Sequence, residues 1–312
     1  MASNSGPIID NTDAAGCLLG LACGDALGRP LEFRTAEQIT AEYGTVTNML
    51  AHGTHNQPAG TITDDTELAL CIARSLAENE DFDGADIARR FVEWFDSGPF
   101  DYGMMTADAL RGLKAGDSWR DVGQQVWESR PEGQNAGNGS VMRCAPYAIR
   151  FANDPDRLIK VSKQSSAITH ADPRCTYGCA ILNLTLRNLI TGREQPLDNA
   201  LERLESEAPT ELVDALDGLP EAVSPSSLSN SGYVVDTLQA SLYYGLTADT
   251  AEDAIVMAVN QGNDADTVGA VTGAIAGAQF GADALPERWL NALDATADLR
   301  ELATQLTTHA SR

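Results

Sequence analysis

Two short segments of this chain gather carboxylates and hydroxyls at points where apolar helices begin. The first is Gly60-Thr61-Ile62-Thr63-Asp64-Asp65-Thr66-Glu67, leading into Leu68, Ala69 and Leu70. The second is Asn260-Gln261-Gly262-Asn263-Asp264-Ala265-Asp266-Thr267, leading into a Gly/Ala-rich run. Either one alone is explained by helix capping, because Thr and Asp cap N-termini and acids in the first turn favour the positive helix end. Together, Thr63, Asp64, Asp65, Asp264, Asp266 and Thr267 make an oxygen-only donor set, which suits Mg²⁺ or Mn²⁺ and disfavours zinc or copper. Carboxylates drawn together repel unless cations lie between them, so convergence of the two segments implies a pair of divalent ions. Convergence needs the two following helices to pack with their N-termini side by side.

Helix periodicity dominates the elements that would have to do this. Asp13 through Ala26 is predicted as a helix with Gly16, Gly20 and Gly24 at four-residue spacing, a smooth stripe along which another backbone can approach. Further helices are predicted at Thr66 to Ala77, Ala85 to Phe95, Leu158 to Thr169, Tyr177 to Ile190, Val234 to Tyr244, Ala251 to Asn260, Thr267 to Phe280 and Leu299 to His309. β-runs are few, and Val46 to Leu50 is short. From Glu207 to Gly232, Pro209, Pro220, Pro225 and a Ser-rich stretch look like a linker. The chemistry-bearing segments lie on both sides of it, so 207–232 is predicted to be a surface excursion of one domain spanning 1–312, with residues 1–10 poorly ordered. Isoprenoid synthases also place two Asp-rich motifs on an all-α fold, but they need acids near 68 and 271. Leu68 and Val271 stand there, and aromatics are only 6% of the chain.

The 312 residues carry 45 Asp and Glu against 21 Lys and Arg, a formal charge of -24, and Lys114, Lys160 and Lys163 are the only lysines. The acids are scattered along the chain, a pattern that fits a halophile's cytosol, where salt screens the self-repulsion. It also disfavours binding to nucleic-acid backbone, since no basic stripe exists to release counterions. Cys17, Cys23, Cys71, Cys144, Cys175 and Cys179 form no C-x-x-C pair and read as reduced small hydrophobes. The four histidines do not cluster as a zinc site would require. There is no run of eighteen apolar residues and no signal-like opening, so a soluble, cytoplasmic protein without membrane attachment is expected.

Several ordered motifs then carry a specific likeness. They are G-C-L-L-G-L-A-C-G-D-A-L-G-R-P-L-E-F from Gly16, T-D-D-T from Thr63, G-P-F-D-Y-G from Gly98, G-N-G-S-V-M-R from Gly137, T-H-A-D from Thr169, G-Y-V-V-D-T-L from Gly232 and N-D-A-D-T from Asn263. From Gly16 to Gly281 the chain resembles the ADP-ribosylglycohydrolase family, which includes dinitrogenase reductase-activating glycohydrolases and ADP-ribosyl-acceptor hydrolases. The resemblance implies an all-α, single-domain orthogonal helical bundle with a binuclear Mg²⁺ or Mn²⁺ centre. It assigns Thr63, Asp64, Asp65, Asp264, Asp266 and Thr267 to the metals and places the Glu32 carboxylate near them. Gly137, Asn138, Gly139, Ser140 and Met142 match the loop around the pyrophosphate, and His170 a residue near the distal ribose or phosphates. Asp101 and Tyr233 match positions flanking the scissile end. Gln261 and Asn263 depart from the family's usual Leu-Gly-Gly-Asp, and Asn263 puts a side chain where glycine is common.

Each assignment has a plainer counterpart. Gly137 to Ser140 can present backbone N–H groups to an anion or form an ordinary turn. His170 can be a core histidine, Glu32 an exposed turn acid, Tyr233 a core aromatic rather than a ring stacked on adenine or ribose, and Asp101 the cap of the next helix. The function implied is metal-dependent hydrolysis of an ADP-ribose linkage on a protein side chain, arginine favoured, or of O-acetyl-ADP-ribose. Glu32, or a metal ligand such as Asp264, would activate water, and Asp101 would accept the leaving guanidinium. The competing reading is a non-catalytic ADP-ribose-binding or crystallin-like structural protein on the same fold.

Overall fold

The computed structural model describes Ile9 and residues 11–310. The chain runs through α1 (Asn11–Gly28), α2 (Ala36–Tyr43), α3 (Asp64–Asn79), α4 (Gly84–Asp96), α5 (Met104–Ala115), α6 (Val122–Ser129), α7 (Pro146–Arg150) and α8 (Pro155–Ser166). It continues through α9 (Pro173–Ile190), α10 (Pro196–Leu204), α11 (Thr210–Leu216), α12 (Val234–Thr247), α13 (Ala251–Val259), α14 (Ala265–Phe280), α15 (Glu287–Leu290) and α16 (Thr296–Ala310). Among the described residues there are isolated β-bridges but no strand, so the fold is an all-α bundle as expected. Among them, too, no helix is long and apolar enough to cross a membrane, and all six cysteines are free.

The centre is the antiparallel pair α1 and α14, and glycine makes it possible. A Cβ added at Gly16, Gly20, Gly24 or Gly28 would meet the carbonyl oxygen of Gly277, Gly273, Gly269 or Ala265 at 2.1, 2.0, 1.9 and 2.2 Å. The stripe predicted on the first helix therefore faces a matching stripe on the other, and the two backbones lie in direct contact. Both helices are buried almost end to end, which supplies the packing that their glycine content withholds from local helix stability. The antiparallel register sets Gly28, at the end of α1, against Ala265, at the start of α14. Asp25 thereby sits one turn from the N-terminus of α14.

Caps account for the ends of other elements. Thr63 accepts from Asp65 N at the start of α3, Thr35 and Gln38 form a reciprocal box at α2, and Asp172 precedes Pro173 at α9. Two expectations change. Val46 to Leu50 is not a strand: the Val46 N–H donates to Asn260 Oδ1 at 2.8 Å, its carbonyl accepts from Asn260 Nδ2 at 2.9 Å, and the Thr47 carbonyl accepts from Trp289 Nε1 at 2.9 Å. Side chains take the backbone partners that a neighbouring strand would have supplied. The 207–232 stretch is only partly a surface excursion, because α11 buries Leu212 and Leu216, and Leu219 follows them into the same core as residues on either side. Poor order expected over 1–10 falls, apart from the buried Ile9, outside the described residues.

Candidate active site

The two acidic segments do converge. Asp64 of the first lines one cleft with Asp264, Asp266 and Thr267 of the second, and Asp65 is close enough to feel the charge of Asp264. Thr63, Asp64, Asp65, Asp266 and Thr267 are all buried, and carboxylate oxygens of Glu32, Asp264 and Asp266 lie within 4.8 Å of one another. What brings α3 to this point is Asp25, fully buried within α1. Its carboxylate accepts from Thr63 N at 3.1 and 3.0 Å, from Thr63 Oγ1 at 2.9 Å, from Thr66 N at 3.2 Å and from the Thr66 hydroxyl. The N-terminal turn of α3 is thus bolted to the helix that packs on α14. Arg29, one turn further along, is equally buried and donates to the carbonyls of His52 and Leu50 at 3.0 Å and of Thr61 at 3.2 Å, which fixes the loop leading into Thr63.

Asp264 is held from the other side. Asn138 Nδ2 donates to Asp264 Oδ2 at 2.6 Å and to Thr237 Oγ1 at 2.9 Å, and the Asp264 N–H donates to the Asn230 carbonyl at 3.1 Å. The loop departure at Asn263 is accommodated: φ is 55°, which asparagine tolerates, and its N–H and carbonyl pair with Arg34 O and Phe33 N at 2.6 and 2.7 Å.

These carboxylates outnumber the cations near them, and burial works against their ionisation. Burial first, then the charges of Asp101, Asp264 and Asp64, pushes Glu32 up to about 9. Burial and the charges of Asp101 and Asp25 raise Asp64 to about 8, and burial drives Asp65 and Asp266 well above the usual carboxylate range. Asp65 Oδ1 is buried with no hydrogen-bond partner. An oxygen-only donor set, an orphaned buried carboxylate oxygen and acids that cannot share the space while charged all fit divalent cations at this point.

The cluster lies at one end of a cleft of about 880 Å³, also lined by Asp101, Met142, His170 and Tyr233. His55 links two of these lining acids: Nε2 bonds Glu32 Oε2 and lies 3.8 Å from Asp101 Oδ2. Asp101 does not cap the next helix, since α5 begins behind Gly103 without a side-chain cap. In the Gly137–Met142 loop the Asn138 N–H is spent on the Gly232 carbonyl at 3.1 Å, and Ser140 Oγ accepts from Ser166 Oγ at 2.9 Å and Cys179 Sγ at 3.4 Å. The Asn138 amide N–H₂ is thus taken by Asp264 and Thr237, and the Ser140 oxygen by two donors. Gly137 and Gly139 lie against His170, whose ring burial and the charges of Arg143 and Arg130 lower to about 3, leaving it neutral. Tyr233 pairs by backbone with Gly137, and its hydroxyl donates to Glu211 Oε1 at 2.7 Å and accepts from Arg174 at 3.3 Å. Asp25, Arg29, His55 and Asn230 escaped the sequence reading. For the first two a signal existed: Asp25 interrupts a run from Ala14 to Gly28 otherwise made of Gly, Ala, Leu and Cys, and Arg29 follows directly after it.

The model of the ADP-ribosylglycohydrolase family matches residues 9–312. The chain is 35% identical to the ADP-ribosyl-(dinitrogen reductase) glycohydrolase of Rhodospirillum rubrum, over 97% of this chain and 96% of that one. It is 33% identical to the ADP-ribosylarginine hydrolase Tri1 of Serratia proteamaculans, over 94% of this chain and 78% of that one. A solved structure described as an ADP-ribosylglycohydrolase-related protein complex superposes with a TM-score of 0.81 at 31% identity, over 96% of this chain and 98% of that one. With this likeness running from end to end, the chain belongs to the ADP-ribosylglycohydrolase family and is a hydrolase.

Proposed function

We propose that this protein hydrolyses the bond joining ADP-ribose to an acceptor side chain, with arginine the preferred acceptor and two Mg²⁺ or Mn²⁺ ions required. The observation that carries the reading is the meeting of Asp64, from the first acidic segment, with Asp264, Asp266 and Thr267, from the second, beside Glu32 in one cleft. Thr63, Asp64, Asp65, Asp264, Asp266 and Thr267 would hold the ions, which supply positive charge that neutralises the acids and polarises oxygen ligands. Glu32, steered by His55 and facing Asp264 and Asp266, orients the attacking water and takes its proton. Cleavage develops positive charge at the anomeric carbon, which the surrounding carboxylates stabilise. The Gly137–Met142 loop and the neutral His170 hold the pyrophosphate and distal ribose, away from the reacting end. Asp101 accepts from the leaving guanidinium. The arginine preference is supported by that carboxylate and by the similarity to a relative named for ADP-ribosylarginine. An ADP-ribosylated protein of the cytosol is the natural substrate under this reading.

The test is release of ADP-ribose from arginine-linked, serine-linked, O-acetyl and nucleobase-linked substrates, in high salt, with Mg²⁺ or Mn²⁺ and after EDTA. Metal-supported release, lost on chelation and abolished in Asp65→Asn and Asp266→Asn with helical circular dichroism retained, is the expected result. Full-rate hydrolysis by EDTA-treated protein would overturn the metal requirement.

A further inference from the structure

The mouth of the cleft carries a ring that the fold has no reason to expose. Phe33 is 72% exposed, lines the cleft, and has φ 61°, a backbone state that bulky side chains rarely adopt. The conformation is imposed from two sides, by the Phe33 N–H on the Asn263 carbonyl at 2.7 Å and the Asn263 N–H on the Arg34 carbonyl at 2.6 Å. An exposed ring forgoes burial, and a left-handed bulky residue adds strain, so two costs fall on one position. Phe33 does not stand alone. Its ring centroid is 6.2 Å from that of His55, which is 5.4 Å from that of Phe100, itself 39% exposed. Glu32 precedes Phe33 in the chain and Asp101 follows Phe100, so the row of rings is edged by acids on the cleft side.

Rings that stand open beside carboxylates suit one ligand chemistry above others. A guanidinium is planar, delocalised and weakly hydrated; it stacks on an aromatic face while its edge donates to a carboxylate. A compact ammonium uses the charge but not the flat face, and a neutral serine or acetyl group uses neither. We infer that Phe33, with Phe100 on the other side of His55, is the stacking face for the planar cationic leaving group whose edge Asp101 receives, which makes Phe33 a residue that sets acceptor specificity. This rests on the ADP-ribosyl hydrolase reading above and deepens its acceptor side.

Two measurements test it. Phe33→Asn removes the ring while suiting the left-handed backbone, and Phe33→Tyr keeps the ring. In the first, the ratio of kcat/KM for arginine-linked over O-acetyl-ADP-ribose should fall about tenfold in Phe33→Asn, mainly through KM, and recover in Phe33→Tyr. In the second, agmatine, which ends in a guanidinium, is titrated calorimetrically into the protein with saturating ADP-ribose, beside putrescine, which ends in an ammonium. Agmatine should bind the native protein and weaken about tenfold in Phe33→Asn, with putrescine little affected. Agmatine binding that is absent or indifferent to Phe33, or equal losses on both substrates, overturns the proposal. A protein that binds agmatine through Phe33 yet releases no ADP-ribose from any linkage would refute the hydrolase reading instead.

Discussion

Asp25 organises the site without being one of its proposed ligands. Its carboxylate takes donors from both Thr63 and Thr66, so the position of Asp64 and Asp65 depends on it. Asp25→Asn would turn an amide N–H₂ toward groups that are themselves donors, leaving at least one buried and unpaired. Affinity for Mn²⁺ is expected to fall 10–100-fold, the usual scale for a partner that orients metal ligands, with helical content retained. Unchanged Mn²⁺ affinity by calorimetry would show that α3 is held in place by packing alone. At the acceptor end, Asp101 has no helix to cap, and its Oδ2 lies 3.8 Å from His55 Nε2. Asp101→Ala should slow hydrolysis of the arginine linkage at least ~10-fold, the scale of one charge-assisted hydrogen bond, and should spare O-acetyl-ADP-ribose. Equal losses on both substrates would move Asp101 to a structural or general catalytic role.

At the scale of elements, the α1–α14 contact sets opposing effects against each other in a single substitution. Gly20→Ala improves local helix propensity by up to ~1 kcal/mol. The new methyl would lie 2.0 Å from the Gly273 carbonyl oxygen, a backbone atom of another buried helix. Overpacking costs ~1–3 kcal/mol even where side chains can yield, so strain wins here and the two helices must move apart. With a net cost of ~1–2 kcal/mol in a chain of this length, thermal melting should fall by roughly 2–5 °C. Because Asp25 and Asp264 ride on these two helices, Mn²⁺ affinity should weaken with it. A Gly20→Ala protein that melts higher than the native one would mean that the backbones are not in contact. The same substitution at Gly116, where an added Cβ meets nothing within 4 Å, controls for a general effect of losing glycine, although its φ of 104° carries strain of its own.

For the whole molecule the decisive quantity is charge. The surface does contain pairs such as Arg74–Asp298, Arg203–Asp156 and Arg89 with Asp86 and Glu93. Exposed pairs contribute little each, and salt weakens them. With 45 acids against 21 bases, repulsion among the unpaired acids exceeds what the pairs return, and salt weakens that as well. The second effect is the larger, so the net sign is stabilisation by salt. The screening length falls from ~10 Å at 0.1 M to ~3 Å at 1 M, so most of the gain should come within that interval. A melting temperature that climbs by roughly 5–10 °C is expected on scanning KCl calorimetrically. A flat response would remove the halophilic reading of the composition.

Much of this was readable before any coordinates, and the reason is range. Thr63 as a cap, the helical period after Asp65 and the glycine stripe at 16, 20 and 24 are encoded within a few residues of where they act. The long amphipathic or apolar helices were legible for that reason, to within a turn at their ends. Short helices such as α7 and α11 hold too few residues to show a period, and Leu212 and Leu216 read as linker until packing buried them. The ligand set was legible as chemistry, in residue types and order. That Asp64 and Asp264 face one cleft is a matter of how α1 docks on α14, two hundred residues apart in the chain, and no local pattern states it. The roles of Asp25 and His55 were hidden for the same reason, although Asp25 stands out as an acid in an apolar run. An acid in a glycine-rich helix and a histidine in a polar loop acquire their roles only from partners that tertiary packing delivers, Thr63 and Thr66 to the one, Glu32 and Asp101 to the other.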